Sequence, residues 1–195
     1  IMDSLVKEQL PNGAWQQIFR NKPTARLSQQ EIEDIYAHEW MNLADIGCIA
    51  TALGMACRYA AEPRKSLYGA ALQRFCDDWA IKWQQPSGGF SNAMESGVAR
   101  TKEYSTATAT EAAAFTALFI QTKDKKYLKV AEKAAHFMTD HWNQDGRPTW
   151  FNHASTKEGL VLPQPVHYFG EAFYYIDGLF MVYHHTEDHA LKEKI

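Results

Sequence analysis

The chain has 195 residues, 46% of them hydrophobic and 22% charged. That is the composition of a soluble globular protein with one sizeable core. A net charge of −3, without any local run of Lys and Arg, argues against a nucleic-acid surface. No apolar stretch reaches the roughly 18 residues of a membrane span. Residues 4–15, SLVKEQLPNGAW, read as the end of an amphipathic helix, then a glycine turn and a tryptophan. A domain thus opens on an ending.

Helical periodicity runs through the rest. Ile46, Ala50, Leu53 and Cys57 form one apolar stripe. Leu67, Ala71, Leu72, Phe75 and Trp79 form a second, and Ala114, Leu118 and Phe119 continue a third. Leu128, Ala131, Ala135, Phe137 and Met138 give a fourth, opposite a charged face of Lys129, Glu132 and Lys133. A fifth segment, from about 168 to 184, is apolar on nearly every side and is expected to be central. Two-residue alternation is absent, so strands should be short or missing. Three cysteines in apolar settings (Cys48, Cys57 and Cys76) read as buried thiols, and no C-x-x-C supports zinc.

The chain repeats itself. Residues 58–90 and residues 119–151 share one order: the end of an inner helix, a charged turn, an amphipathic helix, a Trp and a Gly-aromatic turn. Tyr68 falls against Tyr127, and Trp83 against Trp142. A third copy starts at MVYHHTEDHALKEKI. Read after it, the opening segment supplies the remainder. Three helical hairpins follow, with one divided between the two ends of the sequence. The expected fold is all-α: a single domain over residues 1–195, a toroid of about three hairpins with its first and last helices adjacent. A piece of a longer tandem array is the alternative.

The turn Leu5-x-x-x-Gln9-x-x-x-Gly13-x-Trp15 resembles the QW repeat of triterpene cyclases, which form α/α toroids. The same stretch is similar to the glycine–Trp turn of small (α/α)3 pectate lyases. It is also similar to the QxDGxW-like turns of other carbohydrate-active toroids such as unsaturated glucuronyl hydrolases. Later copies are residues 84–90, QQPSGGF, and residues 143–150, NQDGRPTW. The resemblance implies an α/α toroid acting on carbohydrate. It transfers no catalytic residue. The acidic signature of the cyclases is reduced to Asp77-Asp78, and the prenyltransferase zinc set is not recognisable. Residues 37–47, AHEWMNLADIG, lack the Asn-Asp-Asp stretch associated with the lyases. In physical terms the glycine can end a helix in a left-handed cap, and the Gln can satisfy free backbone groups. The aromatics then either cover helix ends or stack on a sugar face.

In a toroid the inner helices start after the glycine turns, and their N-terminal ends form one mouth. The linkers leading there are long: residues 16–36, 91–105 and 152–164. The first entry offers Tyr36, His38, Glu39, Trp40, Asn42 and Asp45. The second offers Arg100, Lys102 and Tyr104 ahead of small residues that permit close helix packing. Glu111 follows in an apolar context, where it is either a structural hydrogen-bonder or a shifted acid. The third offers His167, Tyr168, Glu171, Tyr175 and Asp177, with His167 and Glu171 at i, i+4. The catalytic candidates are Glu171, Glu111, His167 and Tyr168. The substrate-binding candidates are Trp15, His38, Glu39, Trp40, Arg100, Tyr104, Arg147, Trp150 and Asp177.

Two reactions suit these residues. Glycoside hydrolysis would pair Glu111 with Glu171, or Glu39 with Asp177, across the bond. Uronate lyase chemistry would use Tyr168, His167 or Arg147, with Arg100 or Lys157 on the carboxylate. A non-catalytic glycan- or protein-binding toroid and an isoprenoid-handling domain are the rivals. The isoprenoid rival predicts an apolar channel lined by Phe173, Tyr174 and Phe180. No cofactor is expected, with calcium the exception for a lyase. Polysaccharide degradation would imply a periplasmic or secreted protein, whereas free cysteines also suit the cytoplasm.

Overall fold

The computed structural model describes residues 1–16, 22–38, 43–91, 94–95, 98–99, 103–141, 154–155, 160–161 and 172–195. The chain is mainly helical. Its helices are α1 (Met2–Lys7), α2 (Gln29–His38), α3 (Leu43–Cys57), α4 (Arg64–Arg74), α5 (Ser105–Thr122), α6 (Lys125–Asp140), α7 (Ala172–His185) and α8 (His189–Lys194). A π-turn (Phe75–Trp79) and a 3-10 turn (Ala80–Trp83) extend α4, and a 3-10 turn (Thr24–Arg26) precedes α2. The described strands are two residues each: β1 (Phe90–Ser91), β2 (Met94–Glu95), β3 (Val98–Ala99), β4 (Glu103–Tyr104), β5 (Ala154–Ser155) and β6 (Leu160–Val161).

Helices alternate between two layers. Inner helix α5 packs on α3 and α7 and is backed by outer helix α6, while α4 backs α3. In the outer row α1 packs on α4 and α8 packs on α6. Tyr127 of α6 reaches Asp77 in the π-turn after α4, at 2.9 Å. The row therefore runs α1, α4, α6, α8. Among the described residues, α1 packs chiefly on α4 and α8 chiefly on α6.

The central helix is α5, not the later apolar segment. Every residue of α5 from Ser105 to Leu118 is buried. Small side chains make this possible. A Cβ on Gly54 of α3 would lie 2.5 Å from Cβ of Ala117, and one on Gly178 of α7 would lie 2.3 Å from the Ala109 carbonyl oxygen. By contrast, α7 leaves Ile176 64%, Phe180 59% and Tyr183 40% exposed.

The repeat is carried by hydrogen bonds. In the first turn Gln9 Nε2 donates to the carbonyls of Gly13 and Ala71, both at 2.8 Å. Gly13 has φ 91°, and a Cβ there would sit 2.6 Å from the Arg74 carbonyl oxygen. In the second turn Gln84 Nε2 donates to the carbonyls of Gly88, at 3.1 Å, and Val130, at 3.0 Å. Gly88 has φ 103° and meets the Lys133 carbonyl in the same way. Each glutamine thus ties its own turn to the next outer helix, and only glycine fits the left-handed, crowded position. The Tyr–Asp contact repeats too: Tyr68 donates to Asp3 at 2.6 Å, as Tyr127 does to Asp77. The second copy carries one more residue between its Asp and its Gln, and the π-turn takes up that residue.

The inter-helix turns repeat as well. Thr122 Oγ1 accepts from Asp124 N and Thr186 Oγ1 from Asp188 N, at 3.2 and 3.0 Å. Asp124 caps α6, and Asp188 caps α8. The segment starting at Met181 is therefore a third copy of the hairpin turn.

All three linkers hold structure that periodicity did not reveal. Helix α2 begins with a capping box. Ser28 N donates to Glu31 Oε2 at 2.7 Å, and Glu31 N donates to Ser28 Oγ at 3.3 Å. The second and third linkers pair in a four-stranded antiparallel sheet of order β1-β4-β5-β6, with Glu103 opposite both Ser91 and Ala154.

Candidate functional site

Polar groups collect where the inner helices begin. Cys48, on the first turns of α3, is hydrogen-bonded to Tyr174 of α7 and lies within electrostatic reach of Asp45, Asp177 and Glu111. Burial, helped by those carboxylates, pushes its thiol up to about 11. A thiol held neutral is a poor nucleophile. Its value here is positional, because it joins the heads of α3 and α7. At the start of α5, Thr108 Oγ1 donates to the Tyr104 carbonyl at 2.6 Å and accepts from Phe90 N at 2.9 Å. That bond fixes the second glycine turn to the head of α5.

Asp177 is exposed on α7 and half-buried Tyr104 ends β4. Tyr104 directly precedes α5, and Asp177 lies in the second turn of α7. Glu111 is different. It is fully buried, on the α5 face that also carries Phe115 and Leu118, and its Oε1 lies 2.9 Å from where a Cβ on Gly47 would be. Neither carboxyl oxygen has a hydrogen-bond partner among the described residues. Burial raises its pKa well above the usual carboxylate range and so favours the protonated acid. A carboxyl in that position fills the α3–α5 seam.

Trp15 is likewise consumed by packing. It is 2% exposed, its Nε1 donates to the Leu5 carbonyl at 2.7 Å, and its ring lies 5.5 Å from Phe75. Phe90, its counterpart in the second turn, is fully buried against Phe115. These turn aromatics cover helix ends and offer no face to a sugar. His38 closes α2, and its side chain lies outside the described residues. So do Glu39, Trp40, Arg100, Arg147, Trp150, His167, Tyr168 and Glu171.

One carboxylate escaped the sequence reading. Glu103 of β4 is 1% exposed, and neither of its oxygens has a hydrogen-bond partner among the described residues. Burial pushes it up to about 7. It stands two residues before α5. In the sequence it sits in RTKEYS among polar neighbours and looks solvated; in the fold β4 is the inner strand between β1 and β5, and the side chain is buried. A carboxyl that titrates near neutrality is suited to acid–base work.

Among the described residues there is no group of three or more His, Cys, Asp and Glu side chains able to hold a metal ion. Nor is any helix there long and apolar enough to cross a membrane. All three cysteines are free; Cys57 and Cys76 are buried and Cys48 is half-buried. No protein-family model, curated protein or solved structure matches the chain.

Proposed function

We propose that the chain is a carbohydrate-active α/α-hairpin protein. It binds a polysaccharide or oligosaccharide, uronate-containing chains included, at the heads of α3, α5 and α7 and cleaves it. The hairpins are read as an arc of an α/α toroid. The observation that carries the proposal is the polar cluster at those heads, with Asp45 and Cys48 from α3 and Tyr174 and Asp177 from α7. Hydroxyl and carboxylate groups at the mouth suit the hydroxyls of a sugar. Glu103, close to neutrality two residues before α5, supplies a candidate acid or base.

The rivals fare unequally. An isoprenoid site would line its channel with Tyr174 and Phe180. Tyr174 instead sits among polar groups, and Phe180 is 59% exposed. A purely binding toroid would keep its buried acids paired. Glu111 is inaccessible, as that rival expects, but unpaired among the described residues.

The test is a reducing-end and unsaturated-product assay on neutral and acidic polysaccharides, with and without calcium. It compares wild type with Asp177→Asn, Glu103→Gln and Glu171→Gln. Unsaturated ends would mark a lyase, and reducing ends without unsaturation a hydrolase. Loss in Asp177→Asn at unchanged stability is the expected result. Silence of the wild type across the panel would sink the catalytic proposal and leave the binding one.

A further inference from the structure

We infer that the C-terminal ends of the inner helices α3, α5 and α7 hold a binding site for a phosphate or sulfate group, built from Arg58, Lys123, His184 and His185. The site lies at the opposite end of these helices from the proposed sugar site, and the inference does not rest on the carbohydrate proposal.

Packing brings the four residues together. Near the end of α5, Gln121 Nε2 donates to the Gly54 carbonyl of α3 at 3.2 Å. Arg58 follows α3 directly and Lys123 follows α5 directly, so that bond sets both at the same end of the helix pair. The Phe119 ring carries the contact on to α7. Its centre lies 5.9 Å from Lys123 Nζ and 6.0 Å from the His185 ring. His184 stands edge-on to Phe180, with ring centres 4.2 Å apart. Arg58, Lys123 and His184 are exposed, and His185 is half-buried.

The charge at this end has one sign. His185 is held below the usual imidazole pKa by burial first, and then by Lys123, His184 and Arg58. Among the described residues none of the four has a carboxylate partner. The nearby carboxylates are engaged elsewhere. Asp124 faces Lys126 at 3.8 Å, Glu187 faces Lys125 at 3.2 Å, and Asp188 faces His136 at 2.9 Å. Glu62 accepts from Ser66 at 2.6 Å. A helix C-terminus carries about half a negative charge, so three of them are neutralised by about one and a half positive charges. Arg58 and Lys123 exceed that before either histidine is counted.

Such a surplus of donors and positive charge suits a tetrahedral oxyanion. A phosphate group brings up to about two negative charges and three acceptor oxygens. A guanidinium, an ammonium and two imidazoles offer N–H donors to match them. A lone carboxylate brings one charge and fits less well. The free ion and an ester on a larger molecule offer the same chemistry.

The test is an NMR titration of the full chain at about pH 7.5, where phosphate is mainly the dianion. Inorganic phosphate and glucose 6-phosphate are the probes, with ionic strength held constant by sodium chloride. Saturable shifts are expected at Arg58, Lys123, His184 and His185. The bound anion stabilises the imidazolium, so the titration midpoint of His185 should rise. Tighter binding of the ester would assign the site to an esterified ligand, and tighter binding of phosphate to the free ion. Arg58→Gln and Lys123→Asn are surface changes, and asparagine suits the left-handed φ of 61° at position 123. Each should weaken binding roughly three- to five-fold, with far-UV circular dichroism unchanged. Cations that serve only the helix ends would give lower thermal stability in both variants and unchanged phosphate binding, which would overturn the inference. So would shifts that never saturate, or that acetate reproduces at equal ionic strength.

Discussion

Glu103 gives the sharpest test of the folded chain. Its carboxyl is 1% exposed and unpartnered among the described residues, and burial carries its pKa from 4.5 to about 7. The folded state therefore holds the proton across a range in which the unfolded chain has released it. By linkage the stability this confers is present in full below about pH 4.5, falls as pH rises, and is gone above about pH 7. At 1.36 kcal/mol per pH unit the loss is about 3 kcal/mol. In a domain of this size that corresponds to a Tm change of roughly 6–12 °C. Glu103→Gln keeps the shape and removes the titration. Urea unfolding of both proteins at pH 5 and pH 8 should give nearly equal stabilities at pH 5, with the variant ahead by about 3 kcal/mol at pH 8. Glu111 is common to both proteins, and so drops out of the difference. Parallel pH dependence of the two proteins would refute the burial argument.

Three further outcomes follow from the packing and the chemistry. Gly178→Ala should cost about 3 kcal/mol in chemical unfolding, because its Cβ would stand 2.3 Å from a backbone oxygen. Gly69→Ala in α4, where a Cβ would meet only Cys57 Sγ, at 4.0 Å, should instead stabilise by about 0.5–1 kcal/mol; equal effects of the two changes would contradict the close-approach account. Gln9→Ala and Gln84→Ala should each destabilise by roughly 2 kcal/mol, since each strands the carbonyls that its side-chain amide satisfies in the turn and the next outer helix, and thermal unfolding measures both. Ellman's reagent should label native Cys48 roughly 100-fold more slowly than an ordinary thiol at pH 8, given the rise from 9.0 to about 11; labelling at the rate of the urea-unfolded chain would show the thiol to be neither buried nor shifted.

The hairpin plan was legible because its parts are local. Gln9, Gly13 and Trp15 announce a turn, and the later glutamine and glycine repeat it with the same bonds. The small residues of α5 announced close packing, and Gly54 and Gly178 supply its other side. What stayed hidden depended on distant partners. Helix α2 carries a readable Ser28–Glu31 box, but its apolar stripe is weak beside its charge. Two-residue strands show no alternation, so the sheet that holds Glu103 left no trace in the sequence. Which apolar helix is central was equally invisible. An apolar helix reads as central whether it is buried all round, as for α5, or exposed along one stripe, as for α7. Glu111 looked like a site residue because a buried acid is costly. Burial raises its pKa, and the protonated form so favoured lessens that cost.

The central claim is that sugar binds at the heads of the inner helices. The most direct measurement is an amide chemical-shift titration of the chain with oligosaccharide fragments, neutral and uronate. Perturbations are predicted at Asp45, Cys48, Tyr104, Tyr174 and Asp177, and not at Arg58, Lys123 or His185 at the opposite helix ends. Shifts confined to those opposite ends, or none at saturating ligand, would contradict the account.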